Sequence, residues 1–485
     1  MKCLIILLTV LIFLLTYNLR QSFEKISSES GSTPSSVSLP VSSIFRKIFL
    51  KDATSLHIDE VAEDEGPMFG DCRVELWNDV TTDSIPMRDY YQQWMALDVG
   101  KMPNLGEAQL RVVSAFVYKE EVVVTTTAQN RYGNTVHCRY FDCNRVEIPN
   151  SSFETQMFPM TAAYCARRAG AKFIGLTETL KQEAVDSVPV TFRAFDEPIH
   201  EISVCVGPIY GSESRWLEIV ETTEHHVLIG IRHFYFTVFN EMDSYTRKLL
   251  DEYQRTGTAD VTIIQSEYQV MDWMFHMMQI TDCFFRARHH SKWILNVDID
   301  ERLVVIQMPL RSFLRTVDPN VGEISFAANK VQRTDPLPEK FSGVEDLLKQ
   351  LLFLNYNTTS QQIFSGMKGL VRPDKTEAMF YHWTWVQHPG IRLMTASKKI
   401  GYIRHYRTTL PGLVQDWTRH GLHFRATRLA PKFEEKLVDA IIRRVRRVYD
   451  QRPIWCEEVP QYLLKFFTKD NYHCQWKNGT LFSDN

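Results

Sequence analysis

The sequence predicts an α/β fold: a mostly parallel sheet flanked by helices, preceded by a small β-rich domain and an N-terminal membrane anchor. Three observations predict it. Strand-like and helix-like runs alternate from Glu201 to Asp300, short β-rich runs broken by Gly, Asn and Pro fill Gly70 to Pro198, and an uncharged apolar run occupies Cys3 to Tyr17. With 485 residues, 44% of them hydrophobic and 12% aromatic, the chain has apolar material for more than one folded domain. Lys+Arg 55 against Asp+Glu 58 gives a net charge of −3, so no overall basic field favours nucleic acid as a partner.

The apolar run lies between Lys2 and Arg20. At about 1.5 Å per residue it spans roughly 22–25 Å, short for an average bilayer and closer to the thinner early secretory membranes. Thr16-Tyr17-Asn18-Leu19-Arg20 offers no small-x-small cleavage site, which favours an uncleaved signal anchor over a cleaved signal peptide. The flanking charges are balanced and do not orient it. Sequons at Asn150, Asn357 and Asn478, with eight of the nine cysteines beyond the anchor, suit a body in an oxidising lumen. The cysteine pairing stays open, and Cys205 and Cys283, in apolar segments, read equally as buried thiols. Ser27 to Ser43, SSESGSTPSSVSLPVSS, is too poor in large apolar residues to offset its chain entropy and reads as an extended stem. The expected layout is a cytosolic end at 1–2, the anchor at 3–19, the stem at 20–69, the β-rich domain at 70–198, the α/β domain at 199–450 and a C-terminal extension at 451–485. That is the plan of a single-pass type II membrane protein with a lumenal body, as in the Golgi.

Within 70–198 the runs LRVVSAFVYK, EVVVTTTAQN, NTVHCRYFDC and PVTFRAF read as antiparallel strands, and no catalytic constellation accompanies them. EISVCVGPIYG, from Glu201 to Gly211, is a buried-strand pattern. The helix SESRWLEIVETTEHHVLIG follows, with Gly230 where a C-cap belongs. IRHFYFTVF is a second strand, Asp243 can N-cap the helix DSYTRKLLDEYQRTG that stops at Gly257, and ADVTIIQS is a third strand. A long helix, roughly Gln269 to His289, leads into WILNVDID. Such alternation argues for right-handed crossovers and a parallel sheet, in which ligands bind at the carboxyl ends of the strands.

WILNVDIDERLV, Trp293 to Val304, ends an apolar strand in three acids, Asp298, Asp300 and Glu301. With strand period two, Asp298 and Asp300 project to one side and Ile299 to the other, so both carboxylates point into the ligand crevice. Hard cations such as Mg²⁺ and Mn²⁺ take oxygen ligands of this kind and share them with substrate phosphates. A solvated strand end carries the same short pattern; the position after successive strand–helix units favours the metal. An EF-hand is excluded, because DIDERLVVIQMP lacks the glycine and the closing acid that such a loop requires.

Four segments, WLEIVETTEHHVLIGIRHFYFTVFN, DCFFRARHHSKWILNVDIDERLV, KGLVRPDKTEAMFYHWTW and IRHYR, resemble glycosyltransferase family 92 in order and spacing, over Ser203 to Asp450. The resemblance implies a GT-A-like, Rossmann-like fold and inverting, metal-dependent hexosyl transfer, with galactose moved from UDP-galactose onto a glycan such as the fucose of N-glycans. On that reading a divalent ion, Mn²⁺, sits on the Asp298–Asp300 pair and offsets the charge of the leaving diphosphate, while an acceptor hydroxyl attacks the anomeric carbon from the opposite face. Asp298 also serves the ribose or sugar side, and Glu301 is either a further ligand or a residue that orients the ligands. His382 and His405 are implied candidates to complete the metal or phosphate site, against the reading of each as a hydrogen-bonded core histidine. Arg372, Arg404 and Arg407 can clamp diphosphate through charge-assisted bonds or simply be solvated. Tyr381, Trp383 and Trp385 can stack on a sugar face or pack in the core. The general base is not identified: Asp335 and Glu345, in RTDPLPEKFSGVED, are candidates, with ordinary loop or cap acids as the alternative.

Arg443 to Arg447, RRVRR, reads either as an anion or membrane-surface patch or as the basic last turns of a solvated helix. Two other function classes compete with the transferase: a catalytically silent glycan-binding or scaffolding protein, and a metal-dependent phosphate-ester hydrolase. The presence of Asp298 and Asp300 argues against the first, and the lack of a second aligned carboxylate group against the second. Donor, acceptor, linkage and oligomeric state stay open.

Overall fold

Strand outweighs helix among the described residues. The computed structural model describes residues 68–462 apart from 70–71, 87–108, 128–130, 159–160, 210, 266–271, 362, 382, 409–422 and 451–454. Among the described residues two sheets carry the architecture: one of eleven strands that holds the acids, and one of seven drawn from Val112 to Phe192.

The larger sheet begins as a strand–helix alternation. β1 (His200–Ile209), α1 (Trp216–Leu228), β2 (His233–Phe239), α2 (Ser244–Arg255), β3 (Ala259–Ile264), α3 (Asp272–Ala287) and β4 (Ser291–Val297) follow in sequence, and their four strands lie parallel in the order β3-β2-β1-β4. Val204, Val206, Phe234 and Phe236 turn to one core, Cys205 and Tyr235 to another, as expected of strands covered on both faces. Asp243 caps α2 by accepting the Thr246 N–H at 2.8 Å. Gly230 and Gly257 take positive φ just past α1 and α2, a conformation open to a residue without Cβ.

Beyond β4 the chain departs from the expected GT-A-like (Rossmann-like), mostly parallel sheet flanked by helices. β5 (Glu301–Val305), β6 (Val321–Arg333), β7 (Thr358–Ser360), β8 (Ile363–Val371), β9 (Arg392–Thr395), β10 (Gly401–Thr408) and β11 (Phe424–Ala426) extend the same sheet with mixed polarity. The β4–β8, β8–β6, β6–β7, β7–β11 and β5–β10 pairs are antiparallel, whereas β6–β9 and β6–β10 are parallel. The connections explain the change. The helices Leu310–Leu314, Val344–Gln350 and Leu352–Asn355 are one or two turns long, too short to cover a sheet face as crossover helices do. A register shift between Phe326 and Ala328 bends β6. The second cover is also β: α3 lies between β1 and the strands Val112–Val117 and Glu121–Thr126 of the smaller sheet. There Phe116, Val123 and Tyr164 share one core with Cys205, Tyr235, Phe284 and Ile294.

The single-pass type II, Golgi-lumenal plan is likewise corrected. No helix among the described residues is long and apolar enough to cross a membrane, and the span expected at 3–19 lies outside them. Cys205 and Cys283 are not free thiols but a disulfide that ties β1 to α3; Cys72–Cys143 and Cys138–Cys165 are disulfides of the smaller sheet's region. Of the sequons, Asn150 sits exposed in a turn with φ 54°, Asn357 is half-buried just before β7, and Asn478 lies outside the described residues. The basic run lies on α4 (Pro431–Tyr449), which packs on α1. Its Arg444 reaches Glu224 at 2.9 Å and Arg447 reaches Glu252 at 2.7 Å, so these bases dock the helix.

Candidate active site

At the carboxyl end of β4 the chain turns through Asp298, Ile299 and Asp300 into β5. Two backbone donors close the turn: the Glu301 N–H donates to the Asp298 carbonyl at 3.0 Å, and the Asp298 N–H donates to Glu301 Oε2 at 2.9 Å. β10 then lies along β5 with His405 opposite Glu301. Gly401 permits that approach, because a Cβ there would stand 2.5 Å from the Val304 carbonyl oxygen.

Three further elements bring partners to the acids. Lys368 of β8 places Nζ 3.0 Å from Asp298 Oδ2 and 2.9 Å from Glu301 Oε2. His405 of β10 stands between Asp300 Oδ2 and Glu301 Oε1, 3.3 Å from each. His276 of α3 is 3.3 Å from Asp298 Oδ1. Both oxygens of Glu301 are therefore engaged behind the turn, and its side chain is 1% exposed, whereas Asp298 and Asp300 retain 31% and 23%. Glu301 orients its neighbours; the two aspartates face outward.

The electrostatics follow from crowding. Burial disfavours the His405 cation, but Asp300 and Glu301 outweigh it and raise its pKa above the ordinary imidazole value. Burial pushes the Asp300 carboxyl up, yet facing His405 brings it below the usual carboxylate range. For Glu301 burial wins over Lys368 and His405, and its pKa is raised. Burial likewise opposes the Lys368 charge, but Asp298 and Glu301 together raise its pKa. Three carboxylates against one lysine leave an excess of two negative charges with His405 neutral, and of one with it protonated.

A narrow crevice opens beside Asp298, lined by Gly207, His276, Gln279, Asn296, Lys368 and Tyr381. Asn296 Oδ1 and Nδ2 and Gln279 Oε1 are buried there without hydrogen-bond partners, the state of groups that await a polar ligand or water. A wider cleft of about 760 Å³ lies at the end of β6, lined among others by Gln332, Asp335, Tyr356 and Asn357. Gln332 pairs with Arg407, two residues past His405 on β10, so this cleft opens at the strand end nearest the acids.

The structure gathers some sequence candidates and separates others. Asp298, Asp300, Glu301 and His405 form one cluster. Arg407 is exposed and, by strand period, on His405's face. Arg404 turns to the other face, fully buried over Tyr406 and donating to the Tyr356 carbonyl at 3.2 Å. Arg372 lies over Trp293 at 4.6 Å and donates to the Pro319 carbonyl; Trp293 is five residues before Asp298, roughly 16 Å along the strand. Asp335 lines the wider cleft and accepts from the Tyr356 hydroxyl at 2.7 Å. Glu345 is 88% exposed and paired with Lys349. Tyr381 stands edge-on to His276 at 5.0 Å, Trp383 lies near Phe380 and Trp385 near Tyr132. His382 lies outside the described residues. Sequence reasoning missed Lys368, His276, Gln279 and Asn296. The available signal was Lys368 itself, a charge inside the apolar strand run MKGLV.

A strand end with two reachable carboxylates, a buried lysine and an unsatisfied polar crevice defines an enzyme-like site for a polar ligand. The family model of glycosyltransferase family 92 matches residues 200–445, and the chain belongs to that family; it is a glycosyltransferase. No curated protein matches the sequence. Among solved structures, HddC from Yersinia pseudotuberculosis is 9% identical, covering 50% of this chain and 98% of that one with a TM-score of 0.22. A beta-glucuronidase of Lactobacillus rhamnosus is 16% identical, covering 38% of this chain and 36% of that one with a TM-score of 0.16. Likeness this low transfers neither fold nor activity.

Proposed function

We propose that this glycosyltransferase inverts configuration at the sugar it moves, taking a hexose, galactose from UDP-galactose, to a glycan acceptor such as the fucose of an N-glycan. The reading is carried by one observation: in a member of this family, Asp298 and Asp300 keep reachable oxygens at a strand's carboxyl end while Glu301 is held behind them. Two aspartates at a site with an excess of negative charge suit a hard divalent ion such as Mn²⁺, while His405, with both ring nitrogens facing Asp300 and Glu301, holds the acids in place. When bound, such an ion supplies Lewis-acid stabilisation of a diphosphate leaving group.

The chain's own residues do the rest. Glu301 fixes Lys368 and His405, and the buried Lys368 ammonium holds Asp298 in place as its counter-charge. Asn296 Oδ1 and Gln279 Oε1 can accept hydrogen bonds from the sugar donor, and Asn296 Nδ2 can donate one to it. Single displacement requires the acceptor hydroxyl to lose its proton to a base on the opposite side. We assign that base to Asp335, which lines the wider cleft, over the solvated Glu345.

The test is a reaction panel. Purified chain is incubated with Mn²⁺, UDP-sugars and fucosylated N-glycans, products are read by mass, and Asp300→Ala is run in parallel. The expected result is one added hexose that needs metal, with a loss of about 100-fold or more in the variant. UDP-sugar binding without turnover favours a silent glycan binder, and phosphate release without sugar transfer favours a hydrolase.

A further inference from the structure

The opposite ends of the same strands carry a second cluster. His200 opens β1, His233 opens β2 and His290 immediately precedes β4, so three neighbouring parallel strands each deliver an imidazole to their amino ends. One ring nitrogen of each lies within 4.8 Å of the others. His200 and His233 stack at 4.0 Å, and His290 stands edge-on to them at 4.8 and 5.6 Å.

His233 is 4% exposed, and neither of its ring nitrogens has a hydrogen-bond partner. Its Nε2 is 3.7 Å from Asp260 Oδ2, beyond hydrogen-bond length. Leaving a buried imidazole unsatisfied costs free energy that a ligand on its lone pair would recover. His290 is oriented from behind: Nδ1 lies 2.7 Å from the Tyr235 hydroxyl, which also reaches Ser291 Oγ at 3.0 Å. With Nδ1 donating to Tyr235, Nε2 carries the free lone pair, the arrangement in which an outer hydrogen bond aims a metal-binding histidine. Asp260 of β3 is 39% exposed and supplies an oxygen at the open side.

We propose that His200, His233 and His290, closed by Asp260, form a Zn²⁺ site at the amino edge of the parallel strands. Three imidazoles and a carboxylate are donors Zn²⁺ accepts in tetrahedral geometry. Bonds of about 2.0–2.1 Å draw the nitrogens to roughly 3.3 Å apart, so the half-buried His200 ring turns out of its stack when the ion binds. The site lies roughly 25 Å from the acid turn, counted from His290 to Asp298 along β4. Its role is structural: it joins β1, β2, β3 and β4 at one edge, where Arg193 of the smaller sheet's region also reaches Asp260 at 3.6 Å.

The full chain, purified without added metal, is titrated with Co²⁺ and then Zn²⁺. The expected result is one Co²⁺ per chain with the intense visible bands of four-coordinate cobalt, displaced by Zn²⁺ and retained in Asp300→Ala. Six-coordinate Co²⁺ at the carboxylates absorbs only weakly. His200→Gln and His233→Gln lower the affinity by about 100-fold or more. His200 is the less buried of the two, so His200→Gln, checked for fold by circular dichroism, decides the matter if His233→Gln misfolds. Bands absent from the wild type, persisting in folded His200→Gln, or lost in Asp300→Ala overturn the proposal. Sugar transfer is not the readout, so the transferase reading stands or falls separately.

Discussion

Lys368 governs the acid turn. It is 2% exposed and is a shared counter-charge of Asp298 and Glu301, so Lys368→Met strands Glu301 as a buried acid short of its nearest cation. Breaking a buried pair in this way costs about 3–5 kcal/mol, which a urea melt of the variant against wild type will read. Glu301→Gln is the complementary probe. It keeps the shape but loosens the hold on Lys368 and His405, and transferase turnover at saturating donor is expected to fall about 10–100-fold. Sequence alone could find the aspartates as paired carboxylates ending an apolar strand, although they stand in the turn past β4 rather than on strand period. It could not rank Glu301 behind them or pair any acid with Lys368, since that contact joins residues 70 apart and no local pattern records it.

At the scale of elements, local rules held where helices and strands alternate and lapsed where strands follow strands. Gly230, Gly257 and Asp243 mark helix ends that the sequence states openly. Asp243→Ala removes one side-chain cap and is expected to cost about 1 kcal/mol by thermal melt. After Asp300 the pairing is decided by distant partners: β10 lies between β5 and β6, and a short run such as Gly401–Thr408 does not announce which neighbours it takes or in which direction. The mostly parallel expectation extended the first four strands to the remainder for lack of that information. The Cys205–Cys283 disulfide anchors the parallel part by closing a 78-residue separation between β1 and α3. Replacing both cysteines by alanine is expected to cost about 2–5 kcal/mol in a denaturant melt.

Over the whole molecule, a buried charge cluster ties the smaller sheet to segments far along the chain. Arg288 faces Glu121 of the smaller sheet at 3.9 Å and Glu377 at 3.5 Å, and His388 and Tyr164 also bind Glu377. Burial would raise the Glu377 pKa, but Arg288, His388 and Tyr164 outweigh it and bring it from 4.5 to about 2. The folded value lies below the unfolded one, so the contribution is full above about pH 4.5 and disappears as pH falls toward 2. It amounts to about 3 kcal/mol, an order-of-magnitude figure. Wild type should therefore lose stability steeply across that window, and Glu377→Gln should flatten the loss in acid-titrated melts. None of this was legible beforehand, because nothing in RARHH marks Arg288, rather than Arg286, as facing two acids from different parts of the chain.

The late arrival of β10 also sets an order of events during synthesis. Asp300 leaves the ribosome about a hundred residues before His405, which at translation rates of about 5–20 residues per second is roughly 5–20 s. Through that interval the nascent carboxylates crowd one another with no β10 beside them, and a translational pause between them lengthens the exposure. A chain released before Gly401 carries all three acids of the turn and lacks the strand that aligns them.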